Sequence, residues 1–504
     1  MQYLVERICV TLAVTVWLSC SAMAGTPASE AKIRLVETGL LPTAATTVGV
    51  PANIVDRMRA YGVPGMSIAV IDKGEIAWAK GYGVADSSSR RRVTTQTLFQ
   101  AASISKPVSA MGALVLVQKG LVSLDDDVNA ALKDWKVPMN DFTRARPVTL
   151  RMLMDHTSGA VHSGAGSYPS YTADDDLPTL LQILKGEAPA RRGGIEIVSL
   201  PGSSFSYSGA GYEILQQLVV DVSGESFEEF MQSEVLRPLG MTSSTFAQPL
   251  PKSLLPSAAT GHYAGGRPLP KRFRISPELT AAGLWSTPTD IAKYMLNVQQ
   301  SYSGAAKVPL KLAMTQQMLS PGLANRGLGP AISGTGDFIR FGHDGFNEGF
   351  ESSFVAYVNA GRGAVVMANS GFAFMLLKET LDSVRRVYEW PAYTATTQQP
   401  HAAAMGQQLV VPISPQALES ITGTYTLDDV ATIRIYRQQH RLFLDWPASG
   451  VAEVFATPDG RLLCPSLTFS DIGTPWLRPL KDQDGLTIRI IVDDDESVAF
   501  RRID

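Results

Sequence analysis

The sequence predicts an α+β domain at residues 50–390, followed by a separate all-β module at residues 413–504. Three observations carry this. Apolar hairpins lie near both ends of the first region with helix-period segments between them, so one sheet must join distant parts of the chain. Residues 391–412, beginning Pro-Ala-Tyr-Thr-Ala-Thr-Thr-Gln-Gln-Pro-His, have no apolar period and read as a linker. Beyond them apolar residues recur in short alternating runs, as in a sandwich or a barrel.

The N-terminal segment reads as a leader. Arg7 precedes the apolar run Ile8–Leu18, too short to span a bilayer, and Ala22-Met23-Ala24 offers the small residues of a cleavage site before Gly25. Residues 1–24 are therefore expected to be a signal peptide and the product to be periplasmic or secreted. Cys20 stands after Leu18-Ser19 as a lipid-anchor cysteine would, though Trp17 fits such a signal poorly. Cleavage would remove Cys9 and Cys20, leave Cys464, and allow no internal disulfide. No other stretch reaches the length of a membrane span, so none is expected in the mature chain. Residues 25–49, rich in Ala, Thr and Pro, read as a loose lead-in.

The first hairpin pairs Met66–Ile71 with Ile76–Ala79 across the turn Asp72-Lys73-Gly74-Glu75. The second pairs Phe354–Val358 with Ala364–Ala368 across Asn359-Ala360-Gly361-Arg362-Gly363. Helical spacing marks Lys106–Lys119, Tyr212–Val222, Thr289–Gln299 and Met375–Trp390. In the last module Ile433 and Ile435 alternate with polar residues, as do Leu486, Ile488, Ile490 and Val492. Turns are expected at Pro458-Asp459-Gly460 and Gln483-Asp484-Gly485.

A net charge of −3 removes the electrostatic reason to expect a nucleic-acid partner. The six histidines form no His-x-His and no His-Glu-x-x-His, so no metal site is expected. No serine lies in a Gly-x-Ser-x-Gly elbow, which excludes that class of esterase.

Three short motifs remain. Ser103-Ile104-Ser105-Lys106 puts a hydroxyl and an amine one turn apart if Ser103 opens a helix. A serine needs a nearby base to become a nucleophile, and a buried lysine is one candidate. The spacing alone is weak, because Ser29-Glu30-Ala31-Lys32 repeats it in the lead-in, and a helix N-cap is the bland alternative for Ser103. Tyr207-Ser208-Gly209 lies in a Gly/Ser-rich loop that leads into a helix; Tyr207 there is either a proton relay or a packing aromatic. His343-Asp344-Gly345 just precedes the second hairpin. Gly345 would let a substrate lie against strand backbone, and the Phe346 amide could join that of Ser103 in holding an oxyanion. Against this stands a strand-edge turn with a solvated histidine.

The order of these motifs resembles the serine β-lactamase and penicillin-binding-protein superfamily, closest to its class C β-lactamase-like serine hydrolases. Thr149–Gly159 and Ala281–Asp290 also look like stretches of that family. The resemblance implies an antiparallel sheet flanked by helices with an all-helical lobe, and the site between them. It implies Ser103 as acylated nucleophile, Lys106 and Tyr207 sharing its activation, His343 where class C enzymes carry a lysine, and no cofactor. The expected substrate is a small molecule or peptide with an amide or ester bond. The C-terminal module looks like the lipocalin-like domain appended to some relatives.

Two departures bear on the substrate. Gly209 replaces the family's usual asparagine and offers only backbone. His343 replaces a fixed positive charge with a ring of pKa about 6.5, mostly neutral at pH 7. Weak β-lactamase activity and better use of other amides or esters are therefore expected. The alternatives are a true β-lactamase or D-alanyl-D-alanine carboxypeptidase, and a non-catalytic binder of cell-wall peptide on the same fold. His156 is expected to be structural, and Tyr212 to pack.

Overall fold

The computed structural model describes residues 27–41, 52–163, 171–306, 308–371 and 373–391; of the C-terminal module it describes 414–427, 431–438, 441–446, 450–456, 461–463, 476–483, 486–492 and 495–503. The expected leader, all three cysteines, the linker from residue 392, and the turns at 458–460 and 484–485 lie outside the described residues. Among the described residues no helix is long and apolar enough to cross a membrane.

The main domain contains helices α1 (Pro27–Thr38) and α2 (Ile54–Tyr61), strands β1 (Gly65–Asp72), β2 (Glu75–Asp86) and β3 (Arg91–Arg92), and helices α3 (Ser105–Gln118), α4 (Gly209–Ser223) and α5 (Pro288–Tyr302). Strands β4 (Ala331–Ser333), β5 (Arg340–Asn347), β6 (Phe350–Tyr357) and β7 (Gly363–Ala368) follow, and α6 (Phe374–Val387) ends it. One antiparallel sheet has the order β3-β2-β1-β7-β6-β5-β4. Its centre joins the two hairpins, with Ile68 opposite Val366 and Phe354 opposite Val365.

The central strands are buried on both faces, which is why they read as unbroken apolar runs. Met66, Ile68, Val70 and Val366 pack on one side with Leu376, Leu377, Leu381 and Val384 of α6. Ala69, Ile71, Val365 and Met367 face the other way, into the core formed with α3, α4 and α5. The sheet is thus a partition between a terminal helix layer and a larger helical body.

The lead-in departs from expectation. Residues 27–38 form a helix whose Ile33 and Val36 turn onto the layer of α6, where Val36 is 1% exposed and the Ser383 hydroxyl donates to the Val36 carbonyl at 2.8 Å. The control motif Ser29–Lys32 therefore sits in a helix, with Lys32 ion-paired to Asp72. Arg57 of α2 adds a two-pronged bond to Glu379 of α6 at 2.7 and 2.6 Å.

The C-terminal module is a closed eight-stranded barrel in which each strand pairs with the next and the last returns to the first, Tyr425 lying opposite Arg502. Helix α7 (Pro415–Ile421) precedes it. Ile433, Ile435, Leu444, Leu477, Ile490 and Phe500 fill the interior. The alternation expected at 486–492 holds only in part. Leu480 lies opposite Arg489 and Lys481 opposite Thr487, so Ile488 is an extra residue in its own strand; Leu486 and Ile488 turn outward, at 39% and 41% exposed, while Thr487 and Ile490 point inward.

Candidate active site

Ser103 does not open α3. It sits in the tight 3₁₀ turn Ala102–Ile104 just before it, 8% exposed, and makes no capping bond. The turn is pinned on several sides. The Ala101 amide donates to Leu284 O, Ser352 Oγ donates to Ala101 O, Ser105 Oγ donates to Ala102 O, and the Leu284 amide donates back to Ser105 Oγ. Ala102 is held at φ +49°, a left-handed conformation that costs a non-glycine residue about 1–3 kcal/mol and persists only where its surroundings impose it.

Lys106 lies on the same side of the helix, 2% exposed. Its Nζ stands 2.9 Å from Ser103 Oγ and donates to Ala281 O at 3.0 Å. Nζ also lies over two aromatic faces, 4.8 Å from the Tyr207 ring centre and 5.7 Å from that of Tyr212. The Tyr212 hydroxyl donates to Met154 O, so this ring packs, as expected.

Tyr207 reaches the site because of His156. That residue has φ +63° and is 1% exposed; its carbonyl accepts the Ser206 amide and its Nδ1 accepts the Ser208 amide. Its ring stacks on Tyr207 with centroids 4.2 Å apart and planes at 23°. His156 is thus the platform of the tyrosine loop. Ser208 caps α4 by accepting the Gly211 amide, and Gly209 is the first residue of that helix, buried.

His343 on β5 completes the cluster, its ring 6.2 Å from Tyr207 and 7% exposed. Burial, then the cations Arg326 and Lys106, push its pKa well below the ordinary value, so it is a neutral ring. Its Nδ1 faces the carbonyl of Asp344 at 2.5 Å and must donate there, which leaves Nε2 as an acceptor. Nε2 is buried and has no hydrogen-bond partner among the described residues. The solvated histidine of the alternative reading is therefore absent.

Gly345 has a different reason from the one expected. A Cβ there would lie 2.4 Å from Ala101 O, 2.5 Å from Ser352 Oγ and 3.1 Å from Ala102 Cβ. Its bareness lets β5 close onto the Ser103 turn; the void a side chain would fill is taken by protein, not left for substrate. Phe346 follows, its side chain turned outward and 37% exposed. Beyond Gly342, β5 has no partner among the described residues on the side of β4, which pairs only with Arg340–Gly342.

Two participants have no motif of their own. Ala281, which opens the family-like stretch 281–290, contributes only a carbonyl. Arg326 lies with its guanidinium 5.6 Å from the Tyr207 ring centre and 5.4 Å from that of Phe205. Tyr207, Arg326, Phe341, His343 and Phe354 line a cavity of about 240 Å³. Among the described residues no group of three or more His, Cys, Asp or Glu could hold a metal ion.

The Beta-lactamase family model matches residues 50–385. Protein flp of Staphylococcus aureus strain N315 is 28% identical over 228 residues, covering 45% of this chain and 42% of that protein. Esterase EstB of Burkholderia gladioli is 28% identical over 242 residues, covering 47% and 60%. The chain thus spans about two fifths of the length of the flp protein. Among solved structures, SurE with D-Leu superposes with TM-score 0.53 at 21% identity, covering 89% of this chain and 97% of that one. The octameric penicillin-binding protein homologue from Pyrococcus abyssi does so with TM-score 0.54 at 20% identity, covering 89% and 98%. These two likenesses show the fold alone. With the family model spanning well over half of its residues, the chain belongs to the β-lactamase family.

Proposed function

We propose that the chain is a serine hydrolase that cleaves an amide or ester through an acyl intermediate on Ser103. The observation that carries this is the 2.9 Å contact of Lys106 Nζ with Ser103 Oγ, made beneath the ring of Tyr207. Oγ attacks the substrate carbonyl and its proton passes to the pair Lys106 and Tyr207. The new C–O bond leaves an oxyanion for the amides of Ser103 and Phe346. The old C–N or C–O bond then breaks, Tyr207 returns the proton to the leaving group, and water repeats the sequence on the acyl ester. The names of two similar proteins, an esterase and a penicillin-binding protein homologue, support amide or ester chemistry.

His343 supports the narrower reading that β-lactams are poor substrates. A neutral ring with a free acceptor cannot provide the fixed cation of a lysine at that position. Hydrolysis of cephalosporins should fall below roughly 10⁴ M⁻¹s⁻¹ in kcat/KM. The leader-like pattern at residues 1–24 supports a periplasmic or secreted location. Labelling with a fluorophosphonate, followed by mass spectrometry, tests the central reading. An adduct on Ser103 is expected; no adduct, together with no hydrolysis of activated esters, would favour a binder of cell-wall peptide instead.

A further inference from the structure

We propose that Asn347 is a positioning residue of the oxyanion site, tying the strand that carries the Phe346 amide to the segments that carry Ser103 and hold Lys106. The inference rests on the acyl-serine reading above and adds to it the residue that sets one of the two oxyanion donors.

The first observation concerns what the strand leaves loose. β5 ends in the two-residue turn Glu348-Gly349, with Asn347 opposite Phe350. In such a hairpin that closing pair is hydrogen-bonded, so alternation puts Phe346 in the next, non-bonded pair, its amide directed away from β6. The amide therefore lies on the edge of β5 that has no ladder partner beyond Gly342 among the described residues. A donor on an open edge serves an oxyanion only if something other than the ladder fixes its distance from the serine turn.

The second observation is a tie that does this. Side chains alternate along a strand, so Asn347 shares the face of Gly345, which closes on Ala101 and Ala102. Asn347 Nδ2 donates to Gln100 Oε1 at 3.0 Å and to Ala282 O at 3.3 Å. Gln100, 1% exposed, leads directly into the turn of Ser103. Ala282 follows the residue whose carbonyl accepts Lys106 Nζ. One carboxamide thus joins the strand of the oxyanion donor, the segment of the nucleophile and the turn that holds the base.

The tie belongs to a closed circuit. Gln100 Nε2 donates to Arg274 O at 2.6 Å, and the Arg274 guanidinium grips Glu348 with two bonds at 2.8 and 2.9 Å. Glu348 is the next residue after Asn347, which completes the ring. With Nε2 committed to Arg274, Gln100 offers Asn347 an acceptor, and Ala282 O is a second one. The position calls for a neutral group with two protons to give. An aspartate has the same shape but would set a carboxylate against two acceptor oxygens.

The test compares unaltered protein, Asn347→Asp and Asn347→Ala. Each is assayed with p-nitrophenyl butyrate and titrated with phenylboronic acid. Ser103 Oγ adds to boron, its proton passing to the pair Lys106 and Tyr207, and one boron-bound hydroxyl takes the oxyanion position. At pH 8 Asn347→Asp should lower kcat about thirtyfold, with KM within about threefold, and should weaken the boronate by a factor similar to the loss in kcat. The rate ratio of unaltered protein to Asn347→Asp should shrink as pH falls from 8 to 6, because the new carboxyl regains a proton to donate. Asn347→Ala should lose about tenfold in kcat with no such pH dependence, and it carries the boronate comparison should Asn347→Asp not fold. A strut that only stabilises the fold would move the melting temperature and leave the boronate bound as tightly as before. That outcome would overturn the inference, as would full rate in both variants or a loss confined to KM. Failure of the acyl-serine reading shows separately, as no fluorophosphonate adduct on Ser103 in the unaltered protein.

Discussion

The turn carrying Ser103 and the loop carrying Tyr207 meet at one amine, yet they are held in contrasting ways. Backbone and hydroxyl bonds to two separate segments, at Leu284 and Ser352, clamp the serine turn, and β5 presses on it where Gly345 has no side chain. The tyrosine loop leans on His156, which takes two of its amides and stacks beneath its ring, while the Ser208 hydroxyl donates to Ala160 O and the Gly202 amide to Thr157 O. The first arrangement fixes the nucleophile to the frame of the domain. The second places the ring of the proton carrier against one stacked side chain. Damage to the first should therefore cost both stability and rate, and damage to the second mostly rate.

The sharpest break is chemical. Ser103→Ala should lower turnover of an activated ester by at least about 10³-fold and abolish the fluorophosphonate adduct, with the circular dichroism spectrum unchanged, because the hydroxyl caps no helix. Gly345→Ala comes next. Its methyl meets backbone oxygen at 2.4 Å, so a loss of about 1–3 kcal/mol in a denaturant titration is expected, with about a hundredfold loss of rate as the turn shifts. A Gly345→Ala protein with full stability and rate would show that the turn is softer than its bonds indicate.

His156→Asn sharpens the contrast. Asparagine tolerates the left-handed backbone but loses the stack on Tyr207. About a tenfold fall in kcat is expected, with the Ser103 adduct still forming and a smaller loss of stability than in Gly345→Ala. The smallest effect lies at the far side of the sheet. Burial pushes the Glu351 carboxyl up to about 8, although it accepts the Ala373 amide at the start of α6. Its folded pKa exceeds its unfolded one. The stability it adds is therefore complete below about pH 4.5 and is lost as pH rises through about 8. Glu351→Gln should flatten that part of the stability–pH curve between pH 5 and 8, read by thermal melts in matched buffers, and leave the hydrolytic rate nearly unchanged.

Much of this pattern was legible in residue order. Helical period marked α3, α4, α5 and α6, and apolar runs marked the four central strands, because each of these elements buries a long, regular stripe. Ser103, Lys106, Tyr207 and His343 stood out because side-chain chemistry at short spacing is visible in a sequence. What stayed hidden depends on backbone or on tertiary neighbours. Helix α1 buries only a short stripe, Ile33 and Val36, inside an Ala/Thr/Pro-rich stretch. Ala281 acts through a carbonyl, which every residue has. Arg326 is one arginine in a glycine-rich run, brought to the site by two left-handed residues. Ile488 reads as inward by alternation, and only its place as the extra residue of a bulge turns it out.

The pairing of β1 with β7, Met66 opposite Ala368, sets the timing of folding. A chain growing from its N-terminus makes the first hairpin early, but that hairpin has no partner until nearly the whole domain has emerged. Until then an apolar strand edge stands unmatched, and contacts of such long sequence separation form slowly. The nascent protein thus has a prolonged stage at which a chaperone, or delivery across a membrane before folding, would protect it from self-association.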